Sequence, residues 1–356
     1  MAIRVLHVLP HAGGGGETYI DMLQRLEGFE HLRFYLSHGR TPTSALTSLP
    51  ARWPRLPAAA RRADVIHCHG DMASVIALPV LRARPAILTG QGLHMFRRLR
   101  GIRRRIMERA LAGVISSCQA VICSSLSERD DLLPLTPPEQ RDKLHVIYNG
   151  VDPPAPISET ERAAVREELG VPPEATLGLF VGQLEPRKQP LLAAGAAVRA
   201  SQLGAPIVLA VVGEGPGAPD LQRLAGDVVK LLGRRHDVPR LMAAADLFVQ
   251  PSEREGMSFA LLEALSSGLA IVAADASSNP EAVADAGLLF PPGDEEAFAA
   301  ALHQLASDAE LRRQLGGRAT SRAAEHFGPA AFLGASESIY RSAITAPGRA
   351  VAGGRA

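Results

Sequence analysis

The sequence has few cysteines, almost no net charge and no long apolar run, and each shortage excludes a class of protein. Among 356 residues there are three cysteines, Cys68, Cys118 and Cys123, and their spacing matches no C-x-x-C or other zinc motif. We therefore expect them to be reduced and buried. A formal net charge of +1 gives no electrostatic reason to bind nucleic acid. No apolar stretch approaches the roughly 18 residues that a membrane-spanning helix needs.

The two ends of the chain carry few structural signals. The apolar run near the start is too short for a signal peptide, which predicts a cytoplasmic protein. Residues 346–356 are rich in glycine, alanine and arginine, so we expect a disordered tail. A chain of 356 residues is too long for one ordinary core and suits two domains.

Short apolar runs alternate with helical stretches along most of the chain, which predicts an α/β fold. Uninterrupted apolar strands separated by helices are typical of parallel sheets that are covered on both faces. The predicted strands form two series: Ile3–Leu9, Asp64–His67, Ala86–Thr89, Ala120–Ser124 and Leu144–Tyr148, then Leu177–Val181, Ile207–Val212, Val228–Leu232, Leu247–Gln250 and Ala270–Ala274. We therefore predict two doubly wound, Rossmann-like domains that face a central cleft, where ligands of such sheets bind.

The proline-rich segment Asp152–Ile157 separates the two series of strands. It places an N-terminal domain at residues 1–155 and a C-terminal domain at residues 156–330. We expect the last helical stretch, residues 331–345, to return to the N-terminal domain.

Two glutamates eight residues apart, Glu255 and Glu263, form the most specific pattern in the chain. Glu255 precedes a glycine turn and Glu263 lies inside the apolar helix that follows, so their carboxylates are at most roughly 12 Å apart. Free backbone N–H groups at the start of such a helix can hold an anion. Acidic side chains beside that anion are suited to accept hydrogen bonds from hydroxyl groups. The segment therefore fits a nucleotide-sugar, with a carboxylate at the sugar, another at the ribose and the diphosphate between them.

Two further turns of the second series are weaker candidates. Arg187 and Lys188 lie at a strand-to-helix turn, where they could neutralise a diphosphate or simply be solvated. The tight turn Gly213–Pro216 could approach a ligand or serve only the chain reversal. Glu281 begins a later helix, where complementing the helix dipole is an equally good explanation.

Together these pieces resemble the retaining glycosyltransferases of family 4, which have the two-domain GT-B architecture. The resemblance covers roughly residues 1–345 and implies transfer of a sugar from a nucleotide-sugar, UDP- or GDP-linked, to a hydroxyl-bearing acceptor. It also implies that no metal and no tightly bound cofactor take part. The residues that carry it are Val181-Gly182 with Lys188, Gly213–Pro216, Pro251-Ser252, Glu255-Gly256, Glu263-Ala264, Gly268 and Glu281.

The resemblance implies roles for individual residues of the C-terminal domain. Glu255 would contact hydroxyls of the donor sugar, Glu263 the ribose diol, and Lys188 the diphosphate. The amides at the helix start would complete the phosphate cradle: Gly256, Met257, Ser258 and Phe259. The family usually has arginine where this chain has Gln183, so Arg187 is a candidate to supply the missing charge.

Ser277 and Ser278 also depart from the family pattern, because they stand where glycines are common. A serine pair there can still bond the donor, with a less close approach of the backbone.

A run of four glycines follows the first predicted strand, within His11–Glu17. Glycines let the backbone approach a ligand closely, and a helix N-terminus adds positive potential. The run fails the G-x-G-x-x-G spacing, since the sixth position is not glycine, and this excludes a dinucleotide site. The resemblance implies that Gly15 and Gly16 meet the donor phosphates and that Glu17 faces the acceptor. A plain flexible loop is the alternative.

The stretch Leu88–Phe96 departs from the family pattern at the expected catalytic position. Where family members often have T-x-H-G, Gln91 occupies the place of the usual active-site histidine and His94 that of a second histidine. An amide can orient a hydroxyl but takes no proton at pH 7. Gln91 and His94 are therefore candidate catalytic residues, and His94 is also a candidate on the acceptor side, with a surface position as its alternative.

Other polar residues of the first series have simpler expectations. His67 and His69 form an H-x-H pair, but no carboxylate or cysteine completes a metal site, so packing or lining roles are expected and no metal is predicted. Ser124, Ser125 and Glu128 follow a strand and are expected to line the cleft.

Arginine is concentrated in Phe96–Met107, with six arginines among twelve residues. Apolar residues at helical spacing, from Phe96 to Ile106, give one apolar stripe and one basic face. The pattern fits peripheral contact of Arg97–Arg105 with anionic lipid at the inner face of the membrane, or binding of a phosphate-bearing acceptor. A solvated face on a packed helix is the alternative.

Two other functions fit the same residues less well. An epimerase of sugar nucleotides or a phosphorylase could share the architecture. A nucleotide-sugar-binding protein without transferase activity would explain Gln91 and Gln183. The retained Glu255, Glu263 and Lys188 favour the transferase, while the base, the sugar and the acceptor leave no readable pattern in one sequence.

Overall fold

The computed structural model describes residues 2–37, 39 and 48–345, and these residues fold into two units. The first unit contains the chain up to Gly150 together with the segment that begins at Pro329. The second unit is Val151–Gly328. The tail that we expected to be disordered, residues 346–356, lies outside the described residues.

Each unit is built on a parallel sheet that has six strands in the described residues. The strands are β1 (Ile3–Leu9), β2 (Phe29–Tyr35), β3 (Val65–His69), β4 (Ala86–Thr89), β5 (Ala120–Cys123), β6 (Leu144–Val146), β7 (Thr176–Val181), β8 (Ile207–Val212), β9 (Val229–Gly233), β10 (Leu247–Gln250), β11 (Ala270–Ala274) and β12 (Gly287–Phe290). The spatial order is β2-β1-β3-β4-β5-β6 in the first unit and β12-β11-β10-β7-β8-β9 in the second. The prediction of an α/β fold with two doubly wound parallel sheets is confirmed.

All ten predicted strands are present, with ends that shift by at most two residues, while β2 and β12 were not predicted. Both missed strands lie at the edge of a sheet. In β2 the sequence FEHLRFY mixes polar and apolar residues and the strand is half-buried, so it lacks the continuous apolar run of a central strand. Its sequence therefore gave no clear strand signal.

Helices pack against the sheet in each unit. They are α1 (Gly15–Leu23), α2 (Leu56–Arg61), α3 (Asp71–Ala77), α4 (His94–Arg98), α5 (Gly101–Ser117), α6 (Leu126–Leu132), α7 (Glu159–Glu168), α8 (Pro190–Gln202), α9 (Ala218–Leu224), α10 (Val238–Ala244), α11 (Phe259–Ser266), α12 (Asn279–Val283), α13 (Glu295–Ser307), α14 (Ala309–His326) and α15 (Pro329–Thr345). In the part of the chain that the structure describes, none of the helices combines the length and apolarity that crossing a membrane requires.

The core of each unit lies between the sheet and its helices. Strands such as β8 and β11 are buried along their whole length, because helices cover both faces of the sheet. All three cysteines are buried free thiols, which confirms that expectation.

The arginine-rich stretch forms two helices, so the expectation of one continuous helix was wrong. Helix α4 ends at Arg98, Leu99 and Arg100 are extended, and α5 begins at Gly101 with a left-handed φ of 57°. The expected apolar stripe is divided in the same way. Phe96 is buried, whereas Ile102 and Ile106 are 68% and 60% exposed.

The C-terminal helix α15 packs against α1 and β3 in the first unit. The Phe332 ring meets the Tyr19 ring edge-on, with 5.0 Å between centroids. The Tyr340 hydroxyl lies 2.7 Å from Nδ1 of His67. Gly150 leaves room for this helix, since a Cβ at that position would lie 2.9 Å from Cβ of Phe332.

Candidate functional site

The loops that follow β7, β10 and β11 bring together the candidate residues of the second unit. These strands are neighbours in the sheet, so their carboxyl ends open at one edge, where ligands of doubly wound sheets bind. Lys188 follows β7, Glu255 follows β10 and Ser277 follows β11.

A buried ion pair between Lys188 and Glu255 lies at the centre of this edge. Nζ of Lys188 is 2.6 Å from Oε1 of Glu255, and Glu255 is 6% exposed. Arg187 lies farther from the same oxygen, at 3.5 Å, and donates to Oε1 of Gln183 at 3.2 Å. The structure thus places Gln183, Arg187 and Lys188 beside the first glutamate of the pair.

Ser277 holds the backbone of Glu255. Its hydroxyl donates to the Glu255 carbonyl oxygen at 2.7 Å and accepts from the Glu255 amide at 3.1 Å. Ser277 has φ of 56°, in the left-handed region that favours glycine. The serine therefore keeps a backbone conformation suited to glycine and adds a side chain that fixes Glu255.

The second glutamate, Glu263, lies inside α11, and no charged group of the described residues shifts its pKa. Burial raises the pKa of its carboxyl to about 7. None of the described residues supplies a hydrogen bond or an ion pair to this carboxylate. A half-buried acid without a partner among the described residues is energetically costly.

The remaining candidates of the second unit lie at the start of α11. Gly256, Met257 and Ser258 are buried in the turn that leads to Phe259, the first residue of the helix. Ser258 occupies the N-cap position, but its side chain makes no capping hydrogen bond. The first-turn amides of α11 have no intrahelical acceptors, as at every helix start.

The tight turn at Gly213 supports the loop that carries Gln183. Gly213 and Gly215 have φ of 143° and 157°. A Cβ on Gly213 would lie 1.8 Å from the carbonyl oxygen of Gly182, and the amide of Leu184 donates to the Glu214 carbonyl at 2.9 Å. These glycines let two loop backbones approach each other closely.

In the first unit, the glycine-rich loop and Gln91 come together. Helix α1 begins at Gly15, and a Cβ on Gly16 would lie 3.2 Å from Oε1 of Gln91. Glu17 accepts a hydrogen bond from the Tyr35 hydroxyl at 2.6 Å. His94 is the first residue of α4 and is half-buried.

Glu128 holds the loop that carries Gln91. Its carboxylate accepts hydrogen bonds from the Gly92 amide and from the amide and hydroxyl of Ser124, the latter two at 2.7 and 2.9 Å. Burial raises the pKa of Glu128, and these hydrogen bonds oppose the rise. The side chains of Ser124, Ser125 and Glu128, which we expected to line the cleft, are all buried in the first unit.

Asp71 supports the same stretch of chain from the other side. One of its carboxylate oxygens accepts from the amide of Phe96 at 2.7 Å. The sequence analysis did not identify Asp71, although an acidic residue at a helix start, one glycine after the H-x-H strand, was a usable signal.

Three buried histidines, His7, His67 and His69, bring one ring nitrogen each within 4.8 Å of the others. That spacing is compatible with metal ligation, and the H-x-H pair alone did not predict the third member. All six ring nitrogens, however, already have a hydrogen-bond partner, so a metal ion would have to displace hydrogen bonds. His67, for example, contacts the hydroxyls of Tyr340 and Thr89.

Both halves of the chain match models of known glycosyltransferase domains. The model described as Glycosyltransferase Family 4 matches residues 13–154, and the model described as Glycosyl transferases group 1 matches residues 175–308. The chain belongs to glycosyltransferase family 4. The first match contains the glycine-rich loop and Gln91, and the second contains Lys188, Glu255 and Glu263.

Curated relatives of this family-4 chain include enzymes with different names. It is 32% identical over 257 residues to a D-inositol 3-phosphate glycosyltransferase of Streptomyces avermitilis, an alignment that covers 67% of this chain. The chain spans about half the length of that relative, 55%. It is 29% identical over 321 residues to the alpha-maltose-1-phosphate synthase of Mycolicibacterium smegmatis, covering 79% of this chain and 80% of the relative.

The fold of this family-4 chain is shared with solved glycosyltransferase structures of the GT-B type. One is Anabaena HepE in complex with UDP and glucose, with a TM-score of 0.80 and 20% identity. The match covers 96% of this chain and 100% of HepE.

Proposed function

We propose that the chain is a retaining glycosyltransferase that moves a sugar from a UDP- or GDP-sugar to a hydroxyl-bearing acceptor. The observation that carries this proposal is the arrangement in the second unit. A buried Lys188–Glu255 pair precedes a helix in which Glu263 has no partner among the residues that the structure describes. Membership of glycosyltransferase family 4 supports the reaction class.

In this proposal Glu263 binds the ribose of the donor. The two vicinal hydroxyls of a ribose are hydrogen-bond donors, and a carboxylate can accept from both. Binding would give the half-buried acid the partners that the described residues do not supply.

Lys188 and Arg187 would bind the diphosphate. The Glu255 carboxylate occupies the position of an anion against both cations. A diphosphate that reaches Lys188 would compete with Glu255 and release that carboxylate to accept a hydroxyl of the donor sugar. The amides at the start of α11 would add hydrogen bonds to the phosphate oxygens.

The same groups would serve the chemical step. Breaking the bond between sugar and phosphate leaves negative charge on the diphosphate, which Lys188, Arg187 and the helix amides are placed to stabilise. The fixed positive charge of these side chains supplies what a divalent cation would otherwise provide, so we propose metal-independent transfer. Retention of configuration is part of the proposal on the ground of family membership.

A UDP-sugar is the first donor to test. The HepE structure of shared fold contains UDP and glucose, which supports uridine in this proposal. For the acceptor we propose a chemical class: a hydroxyl-bearing sugar, lipid-linked sugar or small molecule. In the first unit, it would contact Gln91, His94 and Glu17.

Thermal-shift measurements with UDP-, GDP- and ADP-sugars test donor binding, because a ligand of the folded state raises the melting temperature. We expect a shift with a UDP- or GDP-sugar that is strongly reduced in Glu263→Gln. The matched control is Glu296→Gln, which removes an exposed carboxylate paired with Arg199 and should leave the shift unchanged. No shift with any nucleotide-sugar would contradict the proposal.

Transfer assays with the donor that binds test catalysis. We expect Glu255→Gln to keep the fold and to lower turnover at least about 100-fold, as loss of an essential transition-state contact does. Turnover equal to that of the wild type would remove Glu255 from the mechanism. Anomeric analysis of the product decides retention, and epimerised nucleotide-sugar or transfer to free phosphate would point to the alternative enzymes.

We also propose peripheral contact between α5 and an anionic membrane at the cytoplasmic face. Ile102 and Ile106 are exposed one helical turn apart. At 100° per residue, Arg105 and Arg109 flank them on one side and Arg103 on the other, and all three arginines are exposed. An exposed apolar pair bordered by cations complements an anionic lipid surface.

Not every arginine of the predicted basic segment belongs to this surface. Arg97 pairs with Asp131 at 2.6 Å and is half-buried. Arg104 stacks over the Phe96 ring, at 4.3 Å from its centroid, and pairs with Glu108. The available cations in and near the segment are Arg98, Arg100, Arg103, Arg105 and Arg109.

Sedimentation with phosphatidylglycerol-rich vesicles tests this contact, with phosphatidylcholine vesicles as the comparison. We expect binding to anionic vesicles that weakens with salt and is lost when Arg103, Arg105 and Arg109 are all changed to glutamine. The control replaces three exposed arginines of the second unit, Arg223, Arg313 and Arg318, and removes the same charge. If both triple variants lose vesicle binding equally, net charge explains the binding, and this would contradict a specific membrane-binding surface on α5.

A further inference from the structure

A chain of hydrogen bonds runs through three buried or half-buried histidines and ends at Gln91. Nε2 of Gln91 lies 2.9 Å from Nδ1 of His69, and Nε2 of His69 lies 2.8 Å from Nδ1 of His7. Nε2 of His7 then lies 2.8 Å from Nδ1 of His31. The three histidines lie on the adjacent strands β3, β1 and β2, so the parallel order of the sheet creates the chain.

The donor at Gln91 fixes the position of every proton along this chain. An amide nitrogen only donates, so Nδ1 of His69 must accept. A neutral imidazole with an accepting Nδ1 carries its proton on Nε2, and it therefore donates to His7. The same step repeats at His7, which donates from Nε2 to Nδ1 of His31.

Burial keeps these rings neutral, so that each ring carries a single proton on one of its two nitrogens. It lowers the pKa of His69 to about 3, and it lowers the pKa of His7 well below its usual value, with the neighbouring histidines adding to the effect. At neutral pH each imidazole thus carries one proton and makes one donating and one accepting contact.

The far end of the chain lies at His31. Its Nδ1 faces His7 and accepts there, so a neutral His31 carries its proton on Nε2. Burial lowers the pKa of His31 to about 4, which keeps this ring neutral as well. Among the described residues, Nε2 of His31 has no hydrogen-bond partner.

We infer that this histidine chain positions Gln91, holding its amide so that the carbonyl oxygen faces Gly16 as an acceptor for a hydroxyl group of a bound sugar or acceptor. Because Nε2 of Gln91 is engaged with His69, Oε1 is turned to the glycine-rich loop, 3.2 Å from the place of a Gly16 Cβ. None of the described residues donates a hydrogen bond to that oxygen. His69 is then a positioning residue that acts through Gln91. The assignment of the Gln91 carbonyl oxygen to a sugar hydroxyl rests on the proposed function.

Nitrogen-15 NMR of the histidine side chains tests the direction of the chain in the unmodified protein. We expect His69, His7 and His31 each to be the neutral tautomer with the proton on Nε2. A proton on Nδ1 of His69 or His7 would reverse the chain and overturn the inference. This measurement needs no substrate, so its result is independent of the proposed transferase activity.

Gln91→Glu provides a second test of the contact. A carboxylate offers only acceptors, so Nδ1 of His69 should gain a proton in this variant. An Nδ1 that remains unprotonated would show that residue 91 does not set the chain.

Activity separates positioning from a general structural role. With a donor that is transferred, we expect His69→Phe to lower kcat about 10-fold or more without changing the thermal shift given by UDP, which binds the second unit. Adding His69→Phe to Gln91→Ala should produce little further loss, because His69 acts through Gln91. If the two substitutions lower kcat additively, His69 does not act through Gln91, even if the protein is a transferase. If the expected tautomers are found but no sugar is transferred, only the proposed function is contradicted.

Discussion

At the scale of single residues, Glu263 carries the clearest electrostatic signature of the second unit. Burial desolvates its carboxyl, none of the described residues compensates for this, and its pKa rises to about 7. Such a group is poised to change charge near neutral pH, which makes its role measurable.

Binding of UDP should strengthen as pH rises through about 7. Ribose hydroxyls stabilise the ionised carboxylate and so lower its pKa, which means that binding releases a proton below that pH and none well above it. Calorimetric titration of UDP between about pH 6 and pH 8 measures this dependence. In Glu263→Gln the dependence should shrink to that of UDP itself, and identical pH profiles for both proteins would contradict the ribose assignment.

The same shift gives a prediction for stability. Because the pKa of Glu263 is raised by folding, the folded state binds this proton more tightly than the unfolded chain. The contribution is fully present below the unfolded pKa of about 4.3 and is lost as pH rises to about 7. As pH rises through this range, the melting temperature of Glu263→Gln should therefore increase relative to that of the wild type. If the difference between the two melting temperatures stays constant, Glu263 does not titrate in this range.

The Lys188–Glu255 pair leads to a prediction with opposite signs for binding and turnover. If the diphosphate competes with Glu255 for Lys188, Glu255→Gln should bind UDP several-fold more tightly while transferring sugar poorly. Lys188→Met should lose both UDP affinity and roughly 3 kcal/mol of stability, since the buried Glu255 would lose its nearest cation and Arg187 lies farther away, at 3.5 Å. Calorimetry and denaturant unfolding measure the two quantities. Unchanged UDP affinity in both variants would remove the pair from the phosphate site.

At the scale of elements, the loop between β4 and α4 is held in an unusual conformation by acidic side chains beneath it. Gln91 and Leu93 have left-handed φ values of 50° and 46°. Non-glycine residues pay of order 1 kcal/mol for such a conformation, so it persists when other contacts impose it. Glu128 and Asp71 provide those contacts through the amides of Gly92 and Phe96.

Glu128→Ala should destabilise the protein by about 2 to 4 kcal/mol, because it leaves three buried donors unsatisfied. Gly90→Ala should also destabilise the wild type, since its Cβ would lie 2.5 Å from Cδ of Glu128. In the Glu128→Ala background the same Gly90→Ala change should cost much less. Denaturant unfolding of the four proteins measures this coupling, and additive losses would show that Glu128 does not form the floor of the loop.

At the scale of the whole molecule, the chain returns to its first unit after completing the second. Helix α15 lies more than 170 residues beyond the end of β6, yet its Tyr340 hydroxyl contacts His67 of β3. The first unit is therefore completed by a distant part of the sequence.

Phe332→Ala should destabilise the first unit by about 3 kcal/mol or more, because it opens a cavity between α15, Tyr19 and Gly150. Tyr340→Phe keeps the ring and removes only the hydroxyl that contacts His67, so its cost should be nearer 1 kcal/mol. Hydrogen exchange distinguishes the units: in Phe332→Ala we expect faster exchange in β1 and β3 and unchanged exchange in β8 and β10. Equal acceleration in both units would contradict this assignment.

The sequence predicted the central strands and the candidate acidic residues because these signals are local. A buried parallel strand needs a continuous apolar run, and a glycine turn before an apolar helix is visible in one segment such as Glu255–Ser266. It missed the edge strand β2, because a half-exposed strand mixes polar and apolar residues. It also predicted one continuous helix for the arginine-rich stretch, because no proline marks the break at Leu99 and Arg100.

What the sequence determined by itself was the α/β class with two parallel sheets, the family and the set of candidate donor-site residues. The tertiary structure decided the rest: that Lys188 pairs with Glu255, that Glu263 lacks a partner in the described part of the chain, and that His31, His7 and His69 form one hydrogen-bonded chain ending at Gln91. The physical reason is distance. A hydrogen bond or an ion pair depends on atoms a few ångströms apart, and only the strand order and register bring residues from different strands to that separation.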